Sequence, residues 1–446
     1  MKLNVKQTVL VGLAFFTVCV FWQLYDYIMP LFLNNFGLSF VMIGFIMAWD
    51  NILAMFMLPL FGRLSDRTRT RFGKRMPYIA AGSVLAASAL LLVNTAHNSR
   101  MLWLLLLSTG FLLVFMCVYR SPAVSLMPDV TPKHLRSKAN AVINIMGALG
   151  GVIVVALTMF MVKETILKPE TADEMAVIGI ADGNWALTGL VAGLMILAAV
   201  VMIFTVKEDK LVTAKRNMLQ AAGIDEDAPA KEAVSAAKTA GTVGKTGLNR
   251  AELCSYALIL TSVFLWFFGY NAATTFFSIF SFSHLGGNFP LPLLIAYAAA
   301  FVMYVPSGII GGKIGRRRTV LLGIALMGAG FLLGAVFVAF DPGVSALRAV
   351  MFPAFILVGA GWATINVHSY VMAVELAKKG NTGLFTGLYY TFSMGAQALT
   401  PVLAGLIYGW SYKLLFFYAA FFTAASFVTM WFVKHGNAAS VDKEPA

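Results

Sequence analysis

Three strongly charged side chains lie inside long apolar stretches of the sequence: Asp26, Asp50 and Arg120. A charge at the centre of a membrane helix costs roughly 2.5–3.5 kcal/mol, so it persists where it faces a cavity or another polar group. An apolar environment disfavours the ionised form of a carboxyl group, so either aspartate could take up and release a proton. We predict that Asp26 and Asp50 couple a cation, and that Arg120 is their counter-charge or a donor to a bound molecule. A static ion pair that only fixes helix packing is the alternative.

The helices that must position these charges follow from composition. Of 446 residues, 59% are hydrophobic and 12% are charged, with a mean hydropathy of +0.81, whereas soluble domains carry about 25% charged residues. Runs of roughly 18 or more apolar residues recur, each long enough to cross a bilayer core. We predict an all-α polytopic membrane protein with twelve transmembrane spans. Spans 1 to 6 cover residues 8–33, 40–61, 77–96, 101–127, 137–162 and 185–206, and spans 7 to 12 cover residues 252–282, 290–311, 319–340, 346–374, 383–408 and 411–433.

The spans divide into two six-helix halves, residues 1–206 and 251–434, followed by a tail at 435–446. The linker between them, residues 207–250, carries eight Lys/Arg and six Asp/Glu. This composition indicates a segment outside the membrane, with a short amphipathic helix near residues 211–222. The first apolar run is longer than the core of a signal peptide and is interpreted as a retained first helix.

The formal net charge of +13 is concentrated in short loops on one side of the predicted spans. By the positive-inside rule these loops are cytoplasmic. Both termini and the linker are therefore expected in the cytoplasm, and the protein is expected in the inner (plasma) membrane of a bacterium. Because the basic residues serve topology, we predict no nucleic-acid partner. The 2–3, 4–5 and 8–9 loops supply Arg63, Arg67, Arg69, Arg71, Lys74 and Arg75, then Lys133, Arg136 and Lys138, then Lys313, Arg316, Arg317 and Arg318.

The two halves repeat each other in sequence. The frame Gly-x-x-x-Asp66 after span 2 recurs after span 8 with Gly312 in place of the aspartate. The offset between these two positions is 246, and the same offset relates Asp129 at the end of span 4 to Glu375 at the end of span 10. Two acid-bearing helix ends at one offset indicate a duplicated six-helix unit. Pseudo-symmetric halves around a central cavity are the arrangement of facilitator-type transporters.

The loop residues resemble the major facilitator superfamily, whose halves carry a G-x-x-x-D-R-x-G-R-R loop after helices 2 and 8. The longer form here, SDRTRTRFGKRMPY, is similar to that of the glycoside–pentoside–hexuronide:cation symporters and the sucrose–proton symporters, as are RSPAVSLMPDVTPKHLRSKAN (120–140) and TGLYYTFSMGAQALTPVLAG (386–405). The resemblance implies a secondary transporter that moves a sugar or glycoside with a cation by alternating access. The melibiose-permease type has a second acid after the helix-2 Trp-Asp pair. This chain has Trp49-Asp50 alone, so a proton is the expected coupling ion rather than sodium.

Sugar binding requires hydrogen-bonding groups for hydroxyls and aromatic faces for C–H surfaces. Polar and aromatic residues of spans 1, 4, 5, 7, 10 and 11 are the expected lining of a central cavity. Side chains of this kind can instead form hydrogen bonds between helices, and for His368 a packing role is the preferred interpretation. The predicted substrate-binding residues are Trp22, Gln23, Tyr25, Arg120, Asn140, Asn144, Asn271, Asn366, His368, Tyr389, Ser393 and Gln397.

The basic loop after span 2 also contains one acid, Asp66, at the C-terminal end of that span. The helix dipole disfavours an acid there by about 0.3–1 kcal/mol, so Asp66 needs compensation from Arg67 and the other loop bases. The family pattern adds the start of span 11, residues 381–383. We predict a cytoplasmic latch that holds the halves in the outward-open state, and a solvated topology signal is the alternative. The latch residues are Asp66, Arg67, Gly73, Lys74, Arg75, Asp129, Lys313, Arg316, Arg317 and Glu375.

Two other functions fit parts of the sequence. The 23 Met and 36 Phe, together with carboxylates inside the spans, would suit a proton-coupled efflux antiporter for an apolar or cationic compound. A transport-inactive sensor is ranked last, because the linker and tail are too short for a signalling domain. The sequence has no phosphate-binding glycine loop with Lys-Ser/Thr, no metal-binding cluster and no nucleophile–base pair, so we predict no enzyme activity and no cofactor. The expected partners are a small-molecule substrate and the lipid bilayer, with the protein acting as a monomer.

Overall fold

The computed structural model describes residues 3–132, 135–167, 177–180, 183–221, 249–376 and 382–435. Within these residues the chain forms fourteen α-helices and one antiparallel pair of short strands, β1 (Glu164–Leu167) and β2 (Val177–Ile180). The helices are α1 (Val5–Asn35), α2 (Phe40–Met47), α3 (Trp49–Arg67), α4 (Met76–Asn98), α5 (Leu102–Val130), α6 (Arg136–Met161), α7 (Trp185–Thr205), α8 (Glu208–Ala221), α9 (Arg250–His284), α10 (Leu291–Ile314), α11 (Arg316–Phe340), α12 (Val344–Glu375), α13 (Thr382–Trp410) and α14 (Leu414–Trp431).

The helices account for the predicted spans. In the described part of the chain, eleven segments are long and apolar enough to cross a membrane, with α2 and α3 counted as one. The remaining long helix, α13, has 29 residues and corresponds to span 11. The prediction of a twelve-span helical membrane protein is therefore confirmed. It needs one correction, because β1 and β2 form in the acidic loop between spans 5 and 6, where Ile166 pairs with Ile178.

The chain divides into two compact units. The first consists of the described residues within 1–38, 49–226 and 281–291. In it α1 packs on α6, and α4 packs on α5 and α7. The segment after α9 belongs to this unit through Asn288, whose amide accepts a hydrogen bond from Tyr27 Oη (2.6 Å) and donates one to the carbonyl of Thr158 (2.8 Å).

The second unit consists of the described residues within 39–48, 227–280 and 292–446. In it α11 packs on α12 and α14, and α2 packs on α13. The α2–α13 crossing is close, because a Cβ on Gly405 would lie 2.7 Å from the carbonyl carbon of Phe40. Only residues without a side chain allow helix backbones to approach this closely.

The predicted span 2, residues 40–61, is in fact two helices. It breaks at Ala48, and its second part continues to Arg67. The apolar stretch is interrupted after Ala48 only by Asp50 and Asn51, and sequence analysis treated the whole stretch as one span. The break has a consequence for the predicted cation site, because it puts Asp50 in the first turn of α3.

The linker helix predicted near residues 211–222 is present as α8, Glu208–Ala221. It begins three residues earlier than expected and is part of the first unit. Most of the remaining linker, residues 222–248, lies outside the described residues, as do residues 436–446 of the tail.

Candidate functional site

Helices α1, α3 and α5 of the first unit carry the three predicted intramembrane charges. Trp22 and Asp26 lie four residues apart on one face of α1, and Asp26 is exposed while Tyr25 beside it is only 2% exposed. The guanidinium of Arg120, on α5, lies over the Trp22 ring at 5.2 Å from its centroid. Asp26, Asp50 and Arg120 also interact electrostatically. The structure therefore gathers a carboxylate, a guanidinium and an aromatic face at one place.

The charges of this site are not neutralised by direct contact. Among the described ion pairs, none joins Arg120 to Asp26 or to Asp50. A charge held only for helix packing would be expected to have such a partner, because an unpaired charge within a membrane span is costly. The arrangement favours groups that exchange partners over a static ion pair.

The two aspartates have different surroundings. Asp50 Oδ1 accepts hydrogen bonds from the backbone N–H of Asn51 (2.5 Å) and from the Asn51 side-chain amide (2.6 Å). It also lies in the first turn of α3, where the helix dipole favours a negative charge. Asp26 lies within the long helix α1 and has neither kind of support. The ionised form is thus better stabilised at Asp50 than at Asp26.

Two hydrogen-bond donors beside Asp26 are buried without a partner in the described structure: Trp22 Nε1 and Tyr25 Oη. Folded proteins pair the great majority of their buried polar groups, so such donors call for an explanation. The rings are packed against each other, with Tyr25 stacked on Phe21 (5.7 Å) and edge-on to Trp22 (5.6 Å). Fixed rings with free polar ends are suited to bind a molecule that has both C–H faces and hydroxyl groups.

The other predicted binding residues of the first unit are more dispersed. Gln23 is buried on α1 at 7% exposure. Asn144 on α6 is exposed, and the side chain of Asn140 lies outside the described part of the chain. The site defined by contacts is therefore that of Trp22, Tyr25, Asp26 and Arg120.

The predicted residues of the second unit bond to their own helices. The side-chain amides of Asn271, Asn366 and Gln397 each donate to a carbonyl four residues earlier, at 2.7, 2.9 and 3.2 Å. Ser393 Oγ donates to the carbonyl of Tyr390 (3.0 Å). These bonds use one N–H of each amide and leave the amide oxygen and the second N–H available.

Two further predicted residues of this unit make hydrogen bonds that join helices. Tyr389 Oη and Ser369 Oγ are 2.9 Å apart, which links α13 to α12. His368 Nε2 lies 3.0 Å from the carbonyl of Ser307, which links α12 to α10. These contacts support a packing role for Tyr389 and His368.

A cluster of five charged residues lies at the other end of the first unit, and we call it the charge cluster: Asp66, Lys74, Arg75, Asp129 and Glu208. Arg75 is its centre and is only 4% exposed. Its Nε donates to Asp129 (2.9 Å), and its terminal nitrogens donate to Asp66, to Ser65 Oγ and to the carbonyl of Gly62 (3.3 Å). Lys74 Nζ lies 3.0 Å from Asp129 and 3.8 Å from Asp66.

These contacts change the predicted partner of Asp66. Within the described residues its ion pairs are with Lys74 and Arg75, and Arg67 is exposed. The predicted contact with the start of span 11 falls on residue 381 and on the side chains of residues 382–384, which lie outside the described part of the chain.

The second unit has a simpler copy of this arrangement. Arg316 forms an ion pair with Glu375, as Lys74 does with Asp129. Arg317 donates to the carbonyls of Met430 (3.5 Å) and Trp431 at the end of α14, and Lys313 is exposed. A glycine with positive φ precedes the basic pair in both units, at +102° for Gly73 and +87° for Gly315. The repeat read from the sequence is thus present in the backbone as well.

Comparison with known proteins places this geometry in a family. The model of the Major Facilitator Superfamily matches residues 11–306 and 291–446. The chain belongs to the major facilitator superfamily. Proteins of this superfamily are membrane-embedded transporters of small molecules and are generally not enzymes, so the chain is a multi-pass membrane transporter.

Superfamily relatives show how far the similarity extends. A stretch of 151 residues is 25% identical to the sucrose transport protein SUT1 of Oryza sativa subsp. japonica, and it covers 30% of this chain and 28% of that relative. The solved structure of a D-xylose–proton symporter matches with a TM-score of 0.65 at 12% identity, over 97% of this chain and 98% of that one. A bacterial homologue of the iron transporter ferroportin, in its inward-facing state, matches with 0.64 at 14% identity, over 96% and 99%. Structural matches at such low identity establish the fold alone.

Sequence analysis of this superfamily member missed Glu208. Its Oε2 accepts hydrogen bonds from the backbone N–H groups of Arg75 (2.8 Å) and Met76 (3.1 Å), and the residue is only 1% exposed. The repeat contains a signal for it, because Val-Lys-Glu208 after α7 is matched by Val-Lys-His435 after α14. His435 Nδ1 in turn lies 3.0 Å from Ser255 Oγ.

An aromatic group in the second unit was also missed. Tyr270 stacks on Trp362 at 3.9 Å, and Trp266 meets Trp362 edge-on at 5.2 Å. The indole Nε1 of Trp266 is buried without a described partner. The spacing of Trp266 and Tyr270, four residues apart on α9, was the available sign that they share a face.

Proposed function

We propose that this transporter moves a sugar or glycoside across the membrane together with a proton, by alternating access. The observation that carries the proposal is the group of Trp22, Tyr25, Asp26 and Arg120, in which Arg120 lies over the Trp22 ring and both Trp22 Nε1 and Tyr25 Oη lack described partners. A neutral polyhydroxylated molecule would satisfy those atoms without bringing a new charge into the apolar interior.

Each member of the group has a role in this proposal. The Trp22 ring contacts the C–H surface of a sugar ring, while the Trp22 Nε1–H and the Arg120 guanidinium donate to its hydroxyl oxygens. Tyr25, which is 2% exposed and stacked on Phe21, holds the Trp22 ring in place. When it is ionised, Asp26 accepts a hydrogen bond from a hydroxyl group of the sugar. An aromatic face with a few placed polar groups is the usual composition of a small-molecule site.

The same residues support coupling to a proton. Asp26 is exposed and lacks the hydrogen bonds that stabilise an ionised Asp50, so we assign proton transfer to Asp26. Asp50 supplies a fixed negative charge that Arg120 balances, and Asp26 adds a second negative charge only when it releases its proton. A sodium ion would require more oxygen ligands than the one carboxylate that each helix offers.

The relatives support the substrate class. The rice relative is named as a sucrose transport protein, and one structural neighbour is a D-xylose–proton symporter. The fold and the basic loops lead us to propose further that both termini lie in the cytoplasm of a bacterial cell, that the protein acts as a monomer, and that the charge cluster stabilises one state of the transport cycle.

Efflux of an apolar or cationic compound is the competing function. The aromatic residues and Asp26 would suit a cation, but the guanidinium of Arg120 beside Trp22 would repel it. An experiment that distinguishes the two functions therefore tests both sugars and cationic compounds.

The deciding experiment is a panel of radiolabelled sugars, namely sucrose, maltose, melibiose and D-xylose, offered to a transport-deficient bacterium that expresses the full chain, with and without an uncoupler. We expect accumulation of at least one sugar and its loss with the uncoupler. Trp22→Ala should abolish that uptake, whereas Trp103→Ala, a control at a 65% exposed tryptophan, should not change it. Uptake of none of the sugars, together with raised resistance to cationic drugs, would contradict the proposal.

A further inference from the structure

Helix α8, at the start of the linker, contacts the first unit through two oppositely charged residues. Glu208 and Lys215 are seven residues apart, which puts them on the same face of the helix. Lys215 Nζ donates to the carbonyls of Pro128 (3.3 Å) and Asp129 (3.4 Å) at the C-terminal end of α5. Leu211 and Met218 on this face line a cavity of about 70 Å³ shared with residues of α1 and α5.

The signs of the two charges match the helix ends that they contact. Glu208 accepts hydrogen bonds from the first backbone N–H groups of α4, which have no partner within the helix and carry partial positive charge. Arg75, the residue before α4, provides no side-chain cap of its own. Lys215 meets the last carbonyls of α5, which carry partial negative charge. One linker helix therefore caps the ends of two neighbouring helices.

The backbone before α4 is shaped to receive Glu208. Gly73 has φ +102°, a conformation that other residues rarely adopt, and a Cβ at this position would lie 2.6 Å from Cδ of Glu208. Any side chain at residue 73 would therefore collide with the buried carboxylate. Backbone N–H groups of Lys74, Arg75 and Met76 face the Glu208 carboxylate, and the charged side chain that acts on it is Asp129, which pairs with Lys74 and Arg75.

Glu208 also fixes the position of the Arg75 backbone. The backbone N–H of Arg75 is bonded to Glu208, while its guanidinium is bonded to Asp129 and Asp66. We propose that Glu208 is a positioning residue, which docks α8 on the first unit and thereby holds Arg75 in the charge cluster. The linker then contributes Glu208 to the charge cluster and also connects the two halves. This inference is independent of the transported substrate.

Docking can be measured by amide hydrogen exchange on the full-length protein in lipid nanodiscs. In Glu208→Ala we expect exchange at least tenfold faster in α8 and in the first turn of α4, with no change in α14. Glu208→Gln keeps an acceptor oxygen and should exchange no faster than wild type. The matched control is Asp209→Ala, an exposed neighbour, which should stay within twofold of wild type. Equal effects of Glu208→Ala and Asp209→Ala would overturn the docking.

The positioning of Arg75 has its own readout, the rate at which phenylglyoxal modifies arginines, followed by mass spectrometry. Arg75 is buried and Arg67 is exposed on the same loop, so Arg67 is an internal reference. We expect Arg75 to react at least fivefold faster relative to Arg67 in Glu208→Ala, and at the wild-type rate in Glu208→Gln. An unchanged ratio in Glu208→Ala would refute the positioning role even if α8 undocks.

A double-variant test guards against general misfolding. Gly73→Ala should accelerate exchange in the first turn of α4, because the new methyl group expels Glu208, and it should add little in the Glu208→Ala background. Gly37→Ala is the control, since Gly37 also has positive φ (+70°) but nothing within 4 Å of the added Cβ. Fully additive effects of Gly73→Ala and Glu208→Ala would show that the two residues act separately and would contradict the proposal.

Discussion

Replacing Arg75 with methionine removes the guanidinium at the centre of the charge cluster. Breaking a buried ion pair by removing one partner costs roughly 3–5 kcal/mol. The cost here is smaller, because the side chain of Asp66 is 56% exposed and Lys74 still lies 3.0 Å from Asp129. The main loss is the bond between Arg75 Nε and Asp129, whose side chain is 24% exposed. Hydrogen bonds to charged groups contribute about 1.5–3 kcal/mol to stability. We therefore expect a loss of about 2–3 kcal/mol.

This loss should be visible as a lower melting temperature. For domains of 150–250 residues, 1 kcal/mol corresponds to about 2–4 °C, so Arg75→Met should melt roughly 4–12 °C below wild type. The assay is heating of the detergent-purified protein followed by fluorescence-detected gel filtration. Arg75→Lys keeps the charge but cannot reach Asp129 and Ser65 together, so it should fall between the two.

The matched control is Arg67→Met, which removes an exposed arginine from the same loop. Surface substitutions of this kind usually change stability by less than about 0.5 kcal/mol. If Arg75→Met melts at the same temperature as Arg67→Met, the assignment of Arg75 as the buried centre of the cluster is wrong.

Two further predictions follow from the packing. Burial raises the pKa of the Glu208 carboxyl above its ordinary value of 4.5, and it outweighs the backbone hydrogen bonds from Arg75 and Met76, which lower that pKa. Docked α8 therefore binds the proton more tightly than free α8, so docking should be strongest below pH 4.5 and weaken as pH rises through the raised pKa. Exchange rates in α8 against pH, each divided by the rate in Glu208→Gln, should show this trend, and a flat ratio would contradict it. Gly311→Ala should lower stability by about 1–3 kcal/mol, because its Cβ would lie 2.6 Å from His368 Nε2, whereas Gly312→Ala, with nothing within 4 Å, should not; equal melting temperatures would refute this packing.

The large-scale organisation was accessible from sequence for simple physical reasons. A bilayer demands long apolar helices, so the spans are encoded locally, and the basic loops predict their orientation. The 246-residue offset relating Asp129 to Glu375 revealed the duplication. The same offset identified two acidic helix ends, and in the structure Asp129 forms an ion pair with Lys74 and Glu375 forms one with Arg316.

The details that depend on tertiary contacts were not accessible. The break at Ala48 is followed by the polar pair Asp50-Asn51, which by itself does not distinguish the start of a new helix from a polar site inside one span. Glu208 was one of six acids in a polar linker, and its burial depends on the glycine conformation 135 residues earlier, at Gly73. Likewise, the side-chain amides of Asn271 and Asn366 bond to their own helices. A list of polar residues in spans does not distinguish these from residues that face a ligand.

The central claim, proton-coupled sugar transport through the Asp26 site, is tested most directly by the pH of the medium. Lightly buffered, de-energised cells that express the full chain receive the sugar found in the uptake panel. The account predicts alkalinisation on sugar addition for wild type and none for Asp26→Asn, which should still exchange labelled for unlabelled sugar. Alkalinisation that persists in Asp26→Asn would contradict the account, because Asp26 would then not carry the proton.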